Sequence, residues 1–275
     1  MTDANDPLSR IADALQRLAP TPAAVTDWRS APAYLWTGCE GRAIDRIEAP
    51  PLALLKGIER QKAAVRENVE RLAAGHAAHD MLLWGARGMG KSALVRAAVL
   101  AAQERTPGSL ALVQAGTDSL ATLPRLFSEL GKIARNFLVY IDDLGFPDDD
   151  AEGPRHLRSW LEGGIEARPA NVRLAVTSNR RAIVPRQMSE QDDPINPRDA
   201  VDDRLALADR FGLALGFHAC SQDEYLQIVR GYAAEYGLDW DEGNALEWAT
   251  RRGARSGRVA WHYVIELAGR AGRRL

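Results

Sequence analysis

Gly85-Ala86-Arg87-Gly88-Met89-Gly90-Lys91-Ser92 satisfies G-x-x-x-x-G-K-[ST] at every fixed position. Each residue type answers a physical need. The glycines let successive backbone N–H groups turn inward around phosphate oxygens. Lys91 reaches the outer phosphates as a point charge, and the Ser92 hydroxyl takes a place on a divalent cation. The pattern has this meaning only between a strand and a helix. Met81-Leu82-Leu83-Trp84 is a short apolar run of the strand kind, and Lys91–Gln103, with Ala93 in its first turn, is helical in pattern. The positive end of that helix faces whatever the loop holds. At ordinary glycine abundance, a chance match in a chain of 275 residues is roughly a one-in-a-hundred event. The ligands implied are ATP and Mg²⁺.

Downstream, Phe137-Leu138-Val139-Tyr140-Ile141 is uniformly apolar, as a strand buried on both faces is, and it ends in Asp142-Asp143. Carboxylates at the carboxyl end of a buried parallel strand lie at the ligand crevice of a doubly wound sheet. Asp142 fits the carboxylate that holds Mg²⁺ with Ser92, and Asp143 the group that orients or deprotonates an attacking water.

Strand-like runs recur at Leu110–Gln114, Arg173–Thr177 and Leu213–Gly216, with helical patterns between most of them. This alternation predicts an α/β fold: a three-layer parallel sheet with helices on both faces. Leu55–Ala74 reads as a helix broken at Gly57. The polar stretch Ala182–Asp203 carries three prolines and reads as a long functional loop. Gln222–Glu235, Asp241–Arg251 and Arg258–Gly269 read as helices of a small unit. The expected division is an appendage of helical and irregular chain over 1–50, a nucleotide-binding core over 51–216 and an all-helical lid over 217–275. In the appendage, Pro7–Leu18 has helical periodicity, and Tyr34-Leu35-Trp36 is an apolar knot that docks on the core.

Further segments resemble AAA+ proteins, which are P-loop NTPases with such a lid. The strand ending Thr177-Ser178-Asn179 is similar to their sensor 1 element, with Asn179 as the polar contact and Thr177 as its rival. Ala208-Asp209-Arg210-Phe211-Gly212 resembles the segment that presents an arginine finger to a neighbouring subunit; Arg210 is the candidate, Arg204 the alternate. Gly253-Ala254-Arg255-Ser256-Gly257-Arg258 resembles sensor 2, with Arg258 ahead of Arg255. Arg251, Arg255 and Arg258 have the spacing that one continuous helix would place on one face. Leu55, Gly57 and Ile58 fall where such proteins pack on adenine. KGIERQK, LLWGARGMGKSALV, IDDL, IEARPANVRLAVTSNRR, DRFGLALGFHACSQDEYL and GARSGRVAW together resemble the bacterial predicted ATPases catalogued as domain of unknown function 815, over about 52–267. Two departures stand out. Asp143 occupies the place where many AAA+ enzymes have Glu, which implies slow hydrolysis. The segment Ala115–Ala121 lacks an aromatic–apolar–Gly pore loop, which argues against protein threading; Phe146 is expected to pack.

The resemblance implies a homo-oligomer that turns over ATP between subunits to remodel a protein partner. The competing reading is an ATP-gated binding module, similar to helicase loaders, that contacts a protein or single-stranded DNA through its arginine-rich C-terminus. Composition narrows the rest. The chain is 46% hydrophobic and 26% charged, with a net charge of -2, so no overall field points to nucleic acid or membrane. Its two cysteines and five histidines show no metal-ligand spacing. Asp148-Asp149-Asp150 reads as a solvated loop. No basic start with an apolar run and no apolar stretch of spanning length is visible, which places the chain in the cytoplasm.

Overall fold

The structure, a computed structural model, describes residues 26–146, 157, 161, 168–179 and 210–275. Seven strands form one sheet among these residues: β1 Ala33–Trp36, β2 Gly41–Ile44, β3 Met81–Gly85, β4 Leu110–Ala115, β5 Asn136–Ile141, β6 Val172–Ser178 and β7 Leu213–Phe217. Their order is β2-β1-β4-β5-β6-β3-β7. All neighbouring pairs are parallel except β1 with β2. From β3 the chain crosses past two positions to β4, returns through β5 and β6, and places β7 on the far side of β3. This reversal opens a crevice at the carboxyl ends of the central strands.

The helices are α1 Glu59–Ala73, α2 Lys91–Arg105, α3 Leu123–Leu130, α4 Gln222–Glu235, α5 Glu242–Arg251 and α6 Gly257–Arg270. Side chains alternate across the pleat, so each strand feeds two cores. Met81, Leu83, Leu138, Tyr140 and Ala175 pack on one face with α1, α2 and the C-terminal helices. Leu82, Val113, Phe137, Val139, Leu174 and Val176 pack on the other with α3 and Trp28. The fold is therefore the α/β three-layer arrangement expected, with the C-terminal helices beside it.

Two expectations change. The apolar knot at 34–36 is a strand: β1 pairs in parallel with β4, and Gly41–Ile44 returns antiparallel to it. Trp28 packs edge-on against Phe137, and the Trp36 indole N–H donates to Thr122 Oγ1 at 2.8 Å. A glycine is required at 41 because a Cβ there would lie 2.4 Å from the Trp28 ring. The helix expected from Leu55 starts only at Glu59, because Gly57 turns the chain at φ 77°. The Pro7–Leu18 helix, the loop 182–203 and the acidic run 148–150 lie outside the described residues.

Candidate nucleotide-binding site

Period-two alternation gathers the polar groups. Ile141 pairs with Val176, so the chain ends of β5 and β6 lie side by side. Tyr140 and Ala175 face α2; two residues on, Asp142 and Thr177 emerge on the same side, and Asn179 follows Thr177. There α2 presents Ser92. Asp142 Oδ1 accepts hydrogen bonds from the hydroxyls of Ser92, Tyr140 and Thr177, each at 2.6 Å. Burial alone would raise the Asp142 pKa. The three hydroxyl donors and the nearby charge of Arg96 outweigh it and hold the carboxyl below its ordinary value. Burial and the Asp142 charge push the Tyr140 phenol well above its usual range, so it stays a donor.

Lys91 is only 7% exposed. Its ammonium donates to the carbonyls of Gly85 at 2.7 Å and Ala86 at 2.9 Å, and to Asn179 Oδ1 at 3.3 Å. Burial lowers its pKa; Asp143 and Asp142 oppose that, while Arg258 and Arg87 reinforce it. The Asn179 amide in turn donates to the Asp143 carboxylate. Asp143 is the one non-glycine residue with positive φ among those described, at 51°. Aspartate tolerates this left-handed region better than most residues, and the Asp143 N–H is fixed there by Thr177 Oγ1 at 2.8 Å. Asn179 thus bridges the cation and the second acid, while its rival Thr177 sits beneath and ties the two acids together.

The loop between β3 and α2 needs its glycines. Gly85, at φ 122°, passes so close to β7 that a Cβ would lie 2.1 Å from the Phe217 carbonyl oxygen. Gly88 and Gly90 also have positive φ, at 74° and 86°. The first turn of α2 has no side-chain cap, whereas Ser221, Asp241 and Ser256 cap α4, α5 and α6. Uncapped amides at a helix start are ready-made anion donors. The oxygens of Ser92 and Asp142 are the hard ligands that Mg²⁺ prefers. The residues present therefore fit a magnesium nucleotide.

The cradle opens into a cleft of about 1150 Å³. Arg87, Gly88, Met89, Gly90, Lys91, Ser92, Ala93, Asp142, Asp143, Thr177 and Asn179 line its floor, whereas Gly85 and Ala86 do not reach it. Leu55 and Ile58, both buried, line the wall, while Gly57 turns the chain behind it and does not. From the lid, Arg258 lines the cleft and its backbone N–H donates to the Gly88 carbonyl at 3.1 Å. Arg255 does not line it. Arg251, Arg255 and Arg258 do not share one helix face, because α5 ends at Arg251 and α6 begins at Gly257. Of the C-terminal arginines, Arg251 pairs with Glu247, Arg270 pairs with Glu266 at 2.8 Å, and Arg252 covers Trp248.

Arg210 lies elsewhere. It stands just before β7, at the amino end of the sheet, whereas the loop after β3 is at the carboxyl end. Five residues of extended strand, about 17 Å, separate the two levels. Arg204 lies outside the described residues. Several site groups escaped sequence reasoning. Tyr140 is one; the only signal in the sequence was its place two residues before Asp142, on the same face of the strand. Tyr232, Tyr236 and Trp261, a ring cluster from α4 and α6 on the cleft wall, needed the lid's docking to be known.

With this geometry in view, relatives are informative. The sequence profile described as "Protein of unknown function (DUF815)" matches residues 29–271. The chain belongs to the DUF815 family. No functionally curated protein is significantly similar to it. Solved AAA+ structures share the fold of this DUF815 chain. The RuvB Holliday junction branch migration motor of Thermotoga maritima is 17% identical with a TM-score of 0.50, over 79% of this chain and 65% of that one. The Aeropyrum pernix ORC1 protein in complex with DNA is 15% identical with a TM-score of 0.53, over 80% and 65%. Domain III of the Thermotoga maritima replication initiation protein DnaA is 12% identical with a TM-score of 0.50, over 84% and 89%. The chain thus spans just under two thirds of the RuvB and ORC1 chains. No helix among the described residues is long and apolar enough to cross a membrane.

Proposed function

We propose that this DUF815 protein binds ATP with Mg²⁺ and hydrolyses it slowly between subunits of a homo-oligomer, to remodel a protein partner. The observation that carries the reading is the junction of Ser92 with Asp142 beside the uncapped first turn of α2. Gly85–Gly90 and the α2 amides bind the phosphates, Lys91 supplies positive charge, and Ser92 and Asp142 hold the metal. When bound, Mg²⁺ neutralises phosphate charge and fixes the phosphate oxygens in place. Leu55 and Ile58, with Gly57 shaping the turn behind them, take the base, and Arg258 brings the lid to the nucleotide. Asp143 accepts a proton from water, and Asn179 orients Asp143 and Lys91 toward each other. Arg210, remote from its own cleft, serves a neighbouring subunit; a planar cation there stabilises charge developing on the outer phosphate.

The division into core and lid at about residue 216, with the chain before residue 51 as a flanking element, is part of this reading. So is a cytoplasmic setting, which suits the unbridged Cys39 and Cys220. A second reading, an ATP-gated binding module with little turnover, is favoured by one observation: the short Asp143 side chain is engaged by Asn179. Contact with single-stranded DNA draws less support, since Arg251 and Arg270 already have acidic partners.

The test measures nucleotide affinity, phosphate release and oligomer mass for wild type, Lys91→Ala and Asp143→Asn. Lys91→Ala is expected to lose binding. Asp143→Asn is expected to keep binding and lose turnover; unchanged turnover contradicts the role of Asp143. Wild type that binds ATP without releasing phosphate at any concentration favours the second reading.

A further inference from the structure

We propose that Arg96 is an additional nucleotide-binding residue: a built-in cation, one turn along α2 from Ser92, that contacts the phosphates on the Asp142 side of the cradle. The inference rests on the nucleotide reading above and extends it to a position outside the G-x-x-x-x-G-K-[ST] pattern.

Four observations converge on Arg96. It follows Ser92 by four residues on α2, so the two side chains share one helix face, and both line the cleft. Its charge acts on Asp142, but it does not hold Asp142 by a hydrogen bond at Oδ1, which three hydroxyls occupy. Its Nε is buried and has no hydrogen-bond partner. A buried donor of a charged group left unmade is costly, and here no hydrogen bond at Nε ties the guanidinium to the rest of the fold. Finally, its sequence neighbourhood differs from that of five other helical arginines. Arg66, Arg71, Arg125, Arg251 and Arg270 each have a glutamate four residues away within ion-pair distance. Around Arg96 the i±3 and i±4 positions are Ser92, Ala93, Val99 and Leu100, none of them acidic. A guanidinium without a helical counter-ion, facing a cleft beside a metal-holding carboxylate, is placed to accept an anionic oxygen.

The consequence is a division of labour with the metal. In the presence of Mg²⁺ the metal supplies the neutralising charge, and Arg96 adds little. Without it, Arg96 joins Lys91 and the loop amides in offsetting the phosphate charge, so its contribution shows most in the affinity for metal-free nucleotide.

The experiment titrates wild type, Arg96→Gln, Arg96→Lys and Lys91→Ala with a fluorescent ATP analogue, in excess EDTA and in excess Mg²⁺, with thermal melting of each variant alongside. Arg96→Gln is expected to weaken metal-free binding at least about tenfold and the magnesium complex by less than about threefold. Arg96→Lys is expected to recover most of the metal-free loss. If Arg96→Gln weakens both forms by the same factor, or neither, the proposal is overturned and the residue is only structural. Should the glutamine variant not fold, Arg96→Lys and Arg96→Met, which keep the apolar stem, carry the same comparison: similar metal-free affinity for the two overturns the proposal. A wild-type chain that binds neither form overturns the nucleotide reading itself. Binding lost only in Lys91→Ala overturns the role of Arg96 alone.

Discussion

At the scale of single residues, the chemistry of the cleft depends on who holds whom. Asp142 is kept ionised by three hydroxyls against the cost of burial. Its folded pKa is depressed, so its stabilising charge is fully present above its ordinary value of 3.8 and is lost as the pH falls through the lower folded value. Tyr140→Phe removes one donor and nothing else of the network. It is expected to raise the Asp142 pKa toward its ordinary value. An NMR titration of the side-chain carboxyl checks this, and an unmoved value would show that Tyr140 only packs. Gly85 is a second residue with no latitude, because φ 122° and the Phe217 carbonyl both exclude a side chain. Gly85→Ala is expected to cost more than about 3 kcal/mol in urea unfolding. Much of this was legible beforehand: Gly88 to Ser92, Asp142 and Asp143 lie together at the cleft, as their types and spacing lead one to expect, and Asn179, expected from the resemblance to AAA+ proteins, lies beside them. The Asn179–Asp143 contact and the hydroxyl cage were not, since strand adjacency of β5 and β6 is a tertiary fact.

At the scale of elements, α2 and α6 make the site by what caps them. α2 leaves its first amides open toward the cleft, and α6 closes its own with Ser256, whose Oγ accepts from Val259 N–H. Ser256 also sits against Gly88, beside the hydrogen bond from Arg258 N–H to the Gly88 carbonyl. Ser256→Ala is expected to lower stability by about 1 kcal/mol in urea unfolding and to weaken nucleotide binding as the lid's grip loosens. Stability lost with affinity unchanged would separate the lid from the cradle. The strands β3 to β6 were readable because each is a largely buried apolar run, and β7 because it is a short apolar run, although only Phe217 in it is buried. β1 and β2 were not, because four residues are too short for periodicity to show and the β4 residues that β1 pairs with lie 79 positions along the chain, as in Ala33 with Leu112. The continuous helix that would have put Arg251, Arg255 and Arg258 on one face does not form for a local reason: Gly253, at φ 67°, follows the end of α5 and turns the chain before α6.

At the scale of the whole molecule, the sheet separates the cradle from Arg210. On the proposed reading, a finger at the amino end of β7 cannot serve the nucleotide at the carboxyl end of β3 in the same chain, so the proposed turnover would require a neighbour. Arg210→Ala is expected to bind ATP as wild type does and to lose turnover by roughly a thousandfold. Mixed with Asp143→Asn, which is intact at position 210, it is expected to regain activity in shared interfaces; a mixture as inactive as its components contradicts action between chains. Beneath all of this lies one claim, that Gly85–Ser92 grips a nucleotide triphosphate. Calorimetric titration of the purified chain with ATP and Mg²⁺ tests it most directly. The account predicts one site per chain with Kd below about 1 mM, abolished in a folded Lys91→Ala variant. Equal binding by the two proteins, or no binding by either, would contradict it.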